Sequence, residues 1–451
     1  MKNNVLLVNP WIHDFAAYDL WCKPLSLLTI ASWLRSAGAQ VSLIDCLDRF
    51  HPKLLARKPA GWLEQQSNDY YCGKFHKLKI PTPELLKSID RTYYQYGIPE
   101  NLFIEQLKSI PKPDVCMITT MMTYWYPGTL RTIELIKEVY PDVPINVGGI
   151  YPTLHYDHAC AALPVDYVHK GAPDGRLCAF LEKYIDLPQP LSLYYPLIEP
   201  AFDLVHNTKS ISLMTSVGCP FVCTYCASRY LQPTYKRLAV DEVIRRFEMY
   251  AENYGTEIIA FYDDALLYHA EQHIMPILDK WNAAHSGISF HTPNGLHARF
   301  ITEPLANTLY RSGFKTLRLS LETTSSLRQA STGGKIFTDE IQRSIEILYN
   351  AGFKPENLYI YLLCGLPDQT EEEILADIHL THKMGARIEL ASFTPIPHTT
   401  VWDTLAAQTN ISAQDPLLHN KAVFFLTGGA LSLKSMRALR NYVSKLNSSI
   451  A

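Results

Sequence analysis

The sequence predicts an α/β protein of two domains, a doubly wound Rossmann-like sheet followed by a partial (β/α)6 barrel. Three observations carry this prediction. At 451 residues the chain is longer than a single hydrophobic core usually serves. From Val5 to Thr394, strand-length apolar runs alternate with helical periodicities, the rhythm of parallel sheets built from βα units. In Leu317-Arg318-Leu319-Ser320-Leu321-Glu322 the leucines occupy one face and the polar residues the other. With the leucines packed on outer helices, the polar face points into the lumen. A full eight-stranded barrel fills that space with bulky apolar side chains, so a polar lumen fits a smaller, open barrel holding a polar ligand.

The first domain is expected over residues 1–190. Val5 to Val8 reads as its first strand, and Leu25 to Ser36 as an apolar helix that Gly38 ends. Further strands are expected at Val41 to Ile44, Val115 to Thr119, Ile145 to Val147 and Tyr167 to His169. Residues 50–110 interrupt the rhythm and read as an insertion with aromatic-rich helical segments such as Asp90 to Tyr96. Open sheets of this kind bind ligands beyond the carboxyl ends of their strands. The matching loops hold Thr120, Gly148, Gly149 and Gly171. The glycines at 148 and 149 either let backbone approach a large flat ligand or serve only as a strand-to-helix turn.

A linker over 191–209 leads to the barrel, expected over 210–405. Its candidate strands are Ser210 to Val217, Glu257 to Tyr262, Ser289 to Thr292, Thr316 to Leu321, Leu358 to Leu363 and Ile388 to Thr394. Val243, Ile244, Phe247 and Tyr250 share one face of a helix after the first of these. Residues 406–451 read as a helical tail, with Leu439, Tyr442 and Leu446 at helical spacing. A formal net charge of -3 gives no electrostatic reason to expect nucleic-acid binding. The apolar run from Asn4 to Val8 is too short for a signal peptide, and no stretch is long and apolar enough for a membrane span, so a cytoplasmic protein is expected.

The chemistry is concentrated in Cys219-Pro-Phe-Val-Cys223-Thr-Tyr-Cys226. This CxxxCxxC spacing presents three thiolates from one loop at a strand's carboxyl end, with Gly218 allowing the turn into it. Thiolates select zinc, cuprous ion or iron-sulfur clusters, and a closed site wants a fourth protein ligand. A vacant fourth position implies chemistry at the metal. The other seven cysteines lack paired spacing and read as reduced thiols.

Here the chain resembles the radical SAM superfamily, whose signature is CxxxCxxC with an aromatic residue before the last cysteine; Tyr225 fills that place. The stretch from Phe202-Asp203-Leu204 through Thr215-Ser216-Val217-Gly218 is similar to the branch with an N-terminal cobalamin-binding domain. The resemblance implies a 4Fe-4S cluster on Cys219, Cys223 and Cys226, with S-adenosylmethionine on the fourth iron as the source of a 5'-deoxyadenosyl radical. It further implies S-adenosylmethionine contacts at Tyr225, Asp264, Ser320, Glu322, Gly365 and Pro397; Arg299 either meets the carboxylate as well or is a solvated surface arginine, with Lys335 as a second candidate for the carboxylate. Adjacent Asp263 and Asp264 have capping of the next helix as their alternative reading, more so for Asp263 than for Asp264. Relatives usually carry glycine where this chain has His398.

A cobalamin beside Thr120, Gly148, Gly149 and Gly171 is the corresponding expectation for the first domain, although the DxHxxG motif of many cobalamin proteins is absent. Trp11-Ile12-His13-Asp14 stands in its place, and His13 reads as a polar loop residue rather than a cobalt ligand. The implied activity is cobalamin-dependent methyl transfer to an unactivated carbon of a small-molecule or peptide substrate, with an electron donor such as flavodoxin or ferredoxin. One alternative keeps the radical chemistry for rearrangement, cyclisation or oxidation, with the first domain binding substrate or partner. Another is a non-catalytic iron-sulfur or zinc protein.

Overall fold

The computed structural model describes residues 3–187, 198–284, 287–411, 414–423 and 431–450. The part of the expected linker at 191–197 lies outside them. The chain divides into two compact units, residues 1–210 with 414–418, and residues 211–413 with 419–451.

The first unit is built on β1 (Asn4–Asn9), β3 (Gln40–Asp45), β6 (Val115–Ile118), β7 (Ile145–Val147) and β8 (Tyr167–Val168). They form one parallel sheet in the order β3-β1-β6-β7-β8. Alternate residues of β1 enter different cores. Val5 and Leu7 pack with the helix Leu25–Ser36, whereas Leu6 and Val8 pack with Leu102, Phe103, Ile133 and Ile136 from helices on the other face. Burial on both faces is what makes the strand an unbroken apolar run, and it is the signature of a doubly wound sheet.

The interruption after β3 contains a second, antiparallel sheet in the order β2-β5-β4, from β2 (Ile12–Asp14), β4 (Lys77–Lys79) and β5 (Tyr94–Tyr96). This corrects the helical expectation for Asp90 to Tyr96. Three residues alternating Tyr-Gln-Tyr have high strand propensity, and pairing with β2 and β4 on either side decides the outcome. His13 is likewise a strand residue, not a loop one. It is buried in β2 against the side chain of Gln95 at 3.0 Å, and burial lowers its pKa to about 4.

The second unit carries β9 (Ser210–Leu213), β12 (Ile258–Phe261), β13 (Ser289–His291), β14 (Phe314–Glu322), β15 (Leu358–Cys364) and β16 (Arg387–Ser392) in sequential order across one six-stranded sheet. A short antiparallel pair, β10 (Ser216–Val217) with β11 (Lys236–Arg237), flanks the cysteine loop. Phe247, Phe261, Trp281 and Phe290 pack strands against flanking helices with ring centroids 5.5–6.2 Å apart. On the opposite face Arg318 of β14 reaches past β15 to Glu389 of β16 at 3.2 Å, which requires a polar surface shared by the three strands. The edge of β16 is closed by Asn447 of the helix Leu433–Ser448. Its side-chain amide accepts from the Ile388 N–H at 2.9 Å and donates to the Ile388 carbonyl at 2.8 Å, as a neighbouring strand would.

Candidate active site

The expected first barrel strand is broken. β9 stops at Leu213 and β10 resumes at Ser216, because Thr215 and Ser216 turn their donors toward Asp263. Gly218 then adopts φ +79, and a Cβ there would stand 2.7 Å from the Thr234 carbonyl oxygen, so only glycine fits the entry to the cysteine loop. The loop is held from two sides. The Thr224 N–H donates to the Thr332 carbonyl at 3.2 Å, and the Thr224 carbonyl accepts from the Val401 N–H at 3.0 Å. Gly333 lies so close that a Cβ there would meet the Val222 carbonyl oxygen at 2.9 Å.

Cys219 and Cys223 are half-buried and Cys226 is exposed. Burial first, and then the charges of Asp264, Cys226 and Cys223, push the Cys219 thiol up to about 11. Burial also raises Cys223, while Lys335 opposes the rise. Three sulfurs close enough to act on one another, with Cys219 and Cys223 reluctant to ionise alone, make a donor set that a cationic iron-sulfur cluster fits and deprotonates on binding. Among the described residues no trio of His, Cys, Asp or Glu side chains is arranged around a single metal ion, and cubane ligands stand further apart than ligands to one ion.

Four predicted residues gather beside this loop. The Cys226 thiol reaches Ser228 Oγ at 3.3 Å, and Ser228 also hydrogen-bonds to Asp264, whose carboxyl is raised chiefly by desolvation. Glu322 ends β14 at a register shift with φ +72, a left-handed conformation rare for glutamate and characteristic of functional sites. Lys335 Nζ lies 3.4 Å from Glu322 Oε1, with side-chain exposures of 14% and 11%. Tyr225 packs on Leu366 and Phe393. Its hydroxyl is buried and makes no hydrogen bond of normal geometry, although Glu322 and Cys223 act on it electrostatically. That orphaned hydroxyl beside a carboxylate and a cation marks a polar recess that suits S-adenosylmethionine.

Other predicted residues stand further back. Arg299 donates to the Gly334 carbonyl at 2.7 Å and to Glu340 at 3.1 Å, so its guanidinium braces the Gly333-Gly334-Lys335 turn while Lys335 faces the site. Ser320 is buried with its Oγ 2.0 Å from where a Cβ on Gly295 would be, which makes Gly295 obligatory there. Gly365, at φ +92, follows β15 in a loop shaped by Gln369, whose side-chain oxygen accepts from the Gly365 and Leu366 N–H groups at 2.9 and 3.3 Å. Pro397 is buried, and His398 beside it has φ +64 and stacks on Tyr230 with ring centroids 3.9 Å apart. The sequence reading passed over Ser228 and Gln369. Only the position of Ser228, two residues after the last cysteine, offered a signal.

At the carboxyl end of the first unit's sheet, all four predicted residues are tied into one framework. Thr120 Oγ1 donates to the Gly148 carbonyl at 2.9 Å, and a Cβ on Gly149 would meet the Thr120 carbonyl oxygen at 2.4 Å. Thr153, not singled out by the sequence reading, donates to the Gly149 carbonyl at 2.6 Å and accepts from the Gly171 N–H at 3.0 Å. Gly171 has φ +92 and open space beside it. Tight glycine contacts next to an open loop form a cradle of the kind a large planar cofactor needs.

Comparison with known proteins identifies both domains. Residues 213–381 match the radical SAM superfamily and residues 88–181 the B12 binding domain. An uncharacterized methyltransferase of Pyrococcus horikoshii is 25% identical over 344 residues, covering 68% of this chain and 73% of the relative. The anaerobic magnesium-protoporphyrin IX monomethyl ester cyclase of Rubrivivax gelatinosus is 19% identical over 340 residues, 66% of this chain and 60% of that one. In fold, the chain is similar to the radical S-adenosylmethionine methyltransferase TsrM from Kitasatospora setae, with a TM-score of 0.65 at 13% identity over 90% of this chain and 76% of that one. The chain therefore carries a radical SAM domain over residues 213–381 and a B12-binding domain over residues 88–181, the pairing found in cobalamin-dependent radical SAM enzymes.

Proposed function

We propose that the protein is a cobalamin-dependent radical SAM methyltransferase acting on an unactivated carbon of a small-molecule or peptide substrate. The observation that carries this reading is the presence in one chain of two built sites, the three-cysteine loop with its recess and the Thr120-Gly148-Gly149-Gly171 cradle. When bound, the cluster and S-adenosylmethionine supply a primary radical able to abstract hydrogen, and cobalamin supplies the methyl carrier. The chain's own residues bind and orient. Cys219, Cys223 and Cys226 anchor the cluster, and Lys335 meets the carboxylate of S-adenosylmethionine. Glu322 and Asp264 take its hydroxyl and amine donors, and Tyr225 closes the recess on the apolar side. A low-potential electron donor of the flavodoxin or ferredoxin class fits the exposed Cys226 edge, and an oxygen-labile cluster suits a cytoplasmic setting.

The test is anaerobic reconstitution with iron, sulfide and hydroxocobalamin, followed by reduction in the presence of S-adenosylmethionine. Release of both 5'-deoxyadenosine and S-adenosylhomocysteine, lost in Cys223→Ala, is the expected result. Deoxyadenosine without the homocysteine product would transfer the reading to rearrangement, cyclisation or oxidation, the direction in which the cyclase relative points.

A further inference from the structure

His169 follows β8 directly and is 2% exposed. Its Nε2 lies 2.9 Å from the Ala172 carbonyl oxygen. A carbonyl only accepts, so Nε2 carries the proton and Nδ1 presents a bare lone pair. That Nδ1 is buried and has no hydrogen-bond partner. A buried acceptor without a donor costs about 1–3 kcal/mol, so its retention calls for a ligand. Burial also lowers the His169 pKa, keeping the ring neutral and Nδ1 available as an acceptor.

The surroundings indicate which ligand. His169 Cβ lies 3.8 Å from where a Cβ on Gly148 would stand, and the Ala172 carbonyl it binds belongs to the loop that begins at Gly171. Thr153 joins that loop to Gly149, so the imidazole sits beneath the cradle and not on its rim. Cobalamin offers two kinds of donor to a bare ring nitrogen, the amides on the corrin rim and the ribose hydroxyl of the nucleotide tail, and a residue behind the cradle's loops favours the tail, which extends away from the corrin plane.

We infer that His169 Nδ1 accepts a hydrogen bond from the nucleotide tail of cobalamin, making His169 a binding residue selective for the complete cofactor over tail-less corrinoids. The inference rests on the cobalamin reading above. It is tested by titrating hydroxocobalamin and cobinamide, which lacks the nucleotide, into the full-length protein and following corrin absorbance. Wild type, His169→Phe and His169→Asn are compared, with no turnover required. The expected result is a roughly three- to tenfold loss of cobalamin affinity in His169→Phe with cobinamide affinity unchanged, the size of one hydrogen bond. Unchanged cobalamin affinity in both variants overturns the inference, as does an equal loss for both corrinoids, which would mean a damaged cradle. Failure of the wild type to bind either corrinoid overturns the cobalamin reading itself, and the inference with it.

Discussion

The carboxylate of Asp263 accepts both the backbone N–H and the hydroxyl of Ser216, each at 2.6 Å. The amide and hydroxyl of Thr215 add bonds at 3.1 and 2.7 Å, and His273 in turn contacts the Thr215 hydroxyl at 3.0 Å. One buried side chain therefore fixes the break in the strand two residues before Gly218 and the cysteines. Asp263 acts as a positioning residue and Asp264 faces the site. Asp263→Ala orphans four buried donors and is expected to destabilise the second unit by about 3 kcal/mol. The same variant should take up several-fold less iron on reconstitution. Full iron loading at unchanged stability would refute this role.

Lys335 and Arg299 divide the work of one turn. Lys335→Met removes the cation facing Glu322 and Cys223, and is expected to weaken S-adenosylmethionine binding roughly tenfold or more. Arg299→Lys keeps a charge near Glu340 but loses the fork, so it should lower melting temperature while changing that affinity less than about threefold. Equilibrium dialysis on cluster-loaded protein distinguishes the two. A larger binding defect in the arginine variant would reassign the carboxylate contact.

Acid should unfold this protein through buried neutral histidines. His13 and His273 have their pKa values lowered by burial to about 4, against 6.5 for an exposed ring. The unfolded chain binds more protons than the folded one between these values, so stability falls as pH drops from about 6.5 toward 4. Each ring is expected to account for about 2 kcal/mol between pH 7.5 and 5. Urea unfolding at the two pH values checks this, and His13→Gln should remove part of the difference.

The edge of β16 gives a prediction independent of any cofactor. Asn447→Ala deletes the amide that satisfies both backbone groups of Ile388. A loss of about 1–2 kcal/mol is expected, together with a greater tendency to associate through the freed strand. Thermal unfolding and light scattering measure the two effects separately. Asn447→Asp, which keeps only the acceptor, should fall between.

Much of the fold was legible because burial on both faces writes parallel strands as apolar runs, and the cysteine spacing needed no tertiary information. The failures share a physical origin. Tyr94–Tyr96 became a strand through partners distant in sequence, and Ser210 to Val217 split because a carboxylate from the next strand's end competes for its donors. The roles of Arg299 and Lys335 depend on which side of a glycine turn each side chain approaches. Spacing records periodicity well and side-chain direction after a turn poorly. His398 is a partial exception: its φ of +64 accounts physically for the glycine expected there.

Residues 414–418 have a consequence for how the molecule can be cut. Asp415 accepts from the Tyr126 hydroxyl at 3.0 Å and lies 3.9 Å from His158, itself bonded to the Tyr151 hydroxyl. These partners flank the Thr120 and Gly148-Gly149 loops, yet Asp415 is encoded some two hundred residues beyond the end of the first unit's main segment. The cobalamin-type unit is thus not a contiguous gene segment. A fragment ending at residue 210 would be born without one of its own tethers, and shuffling between relatives would have to exchange both pieces together.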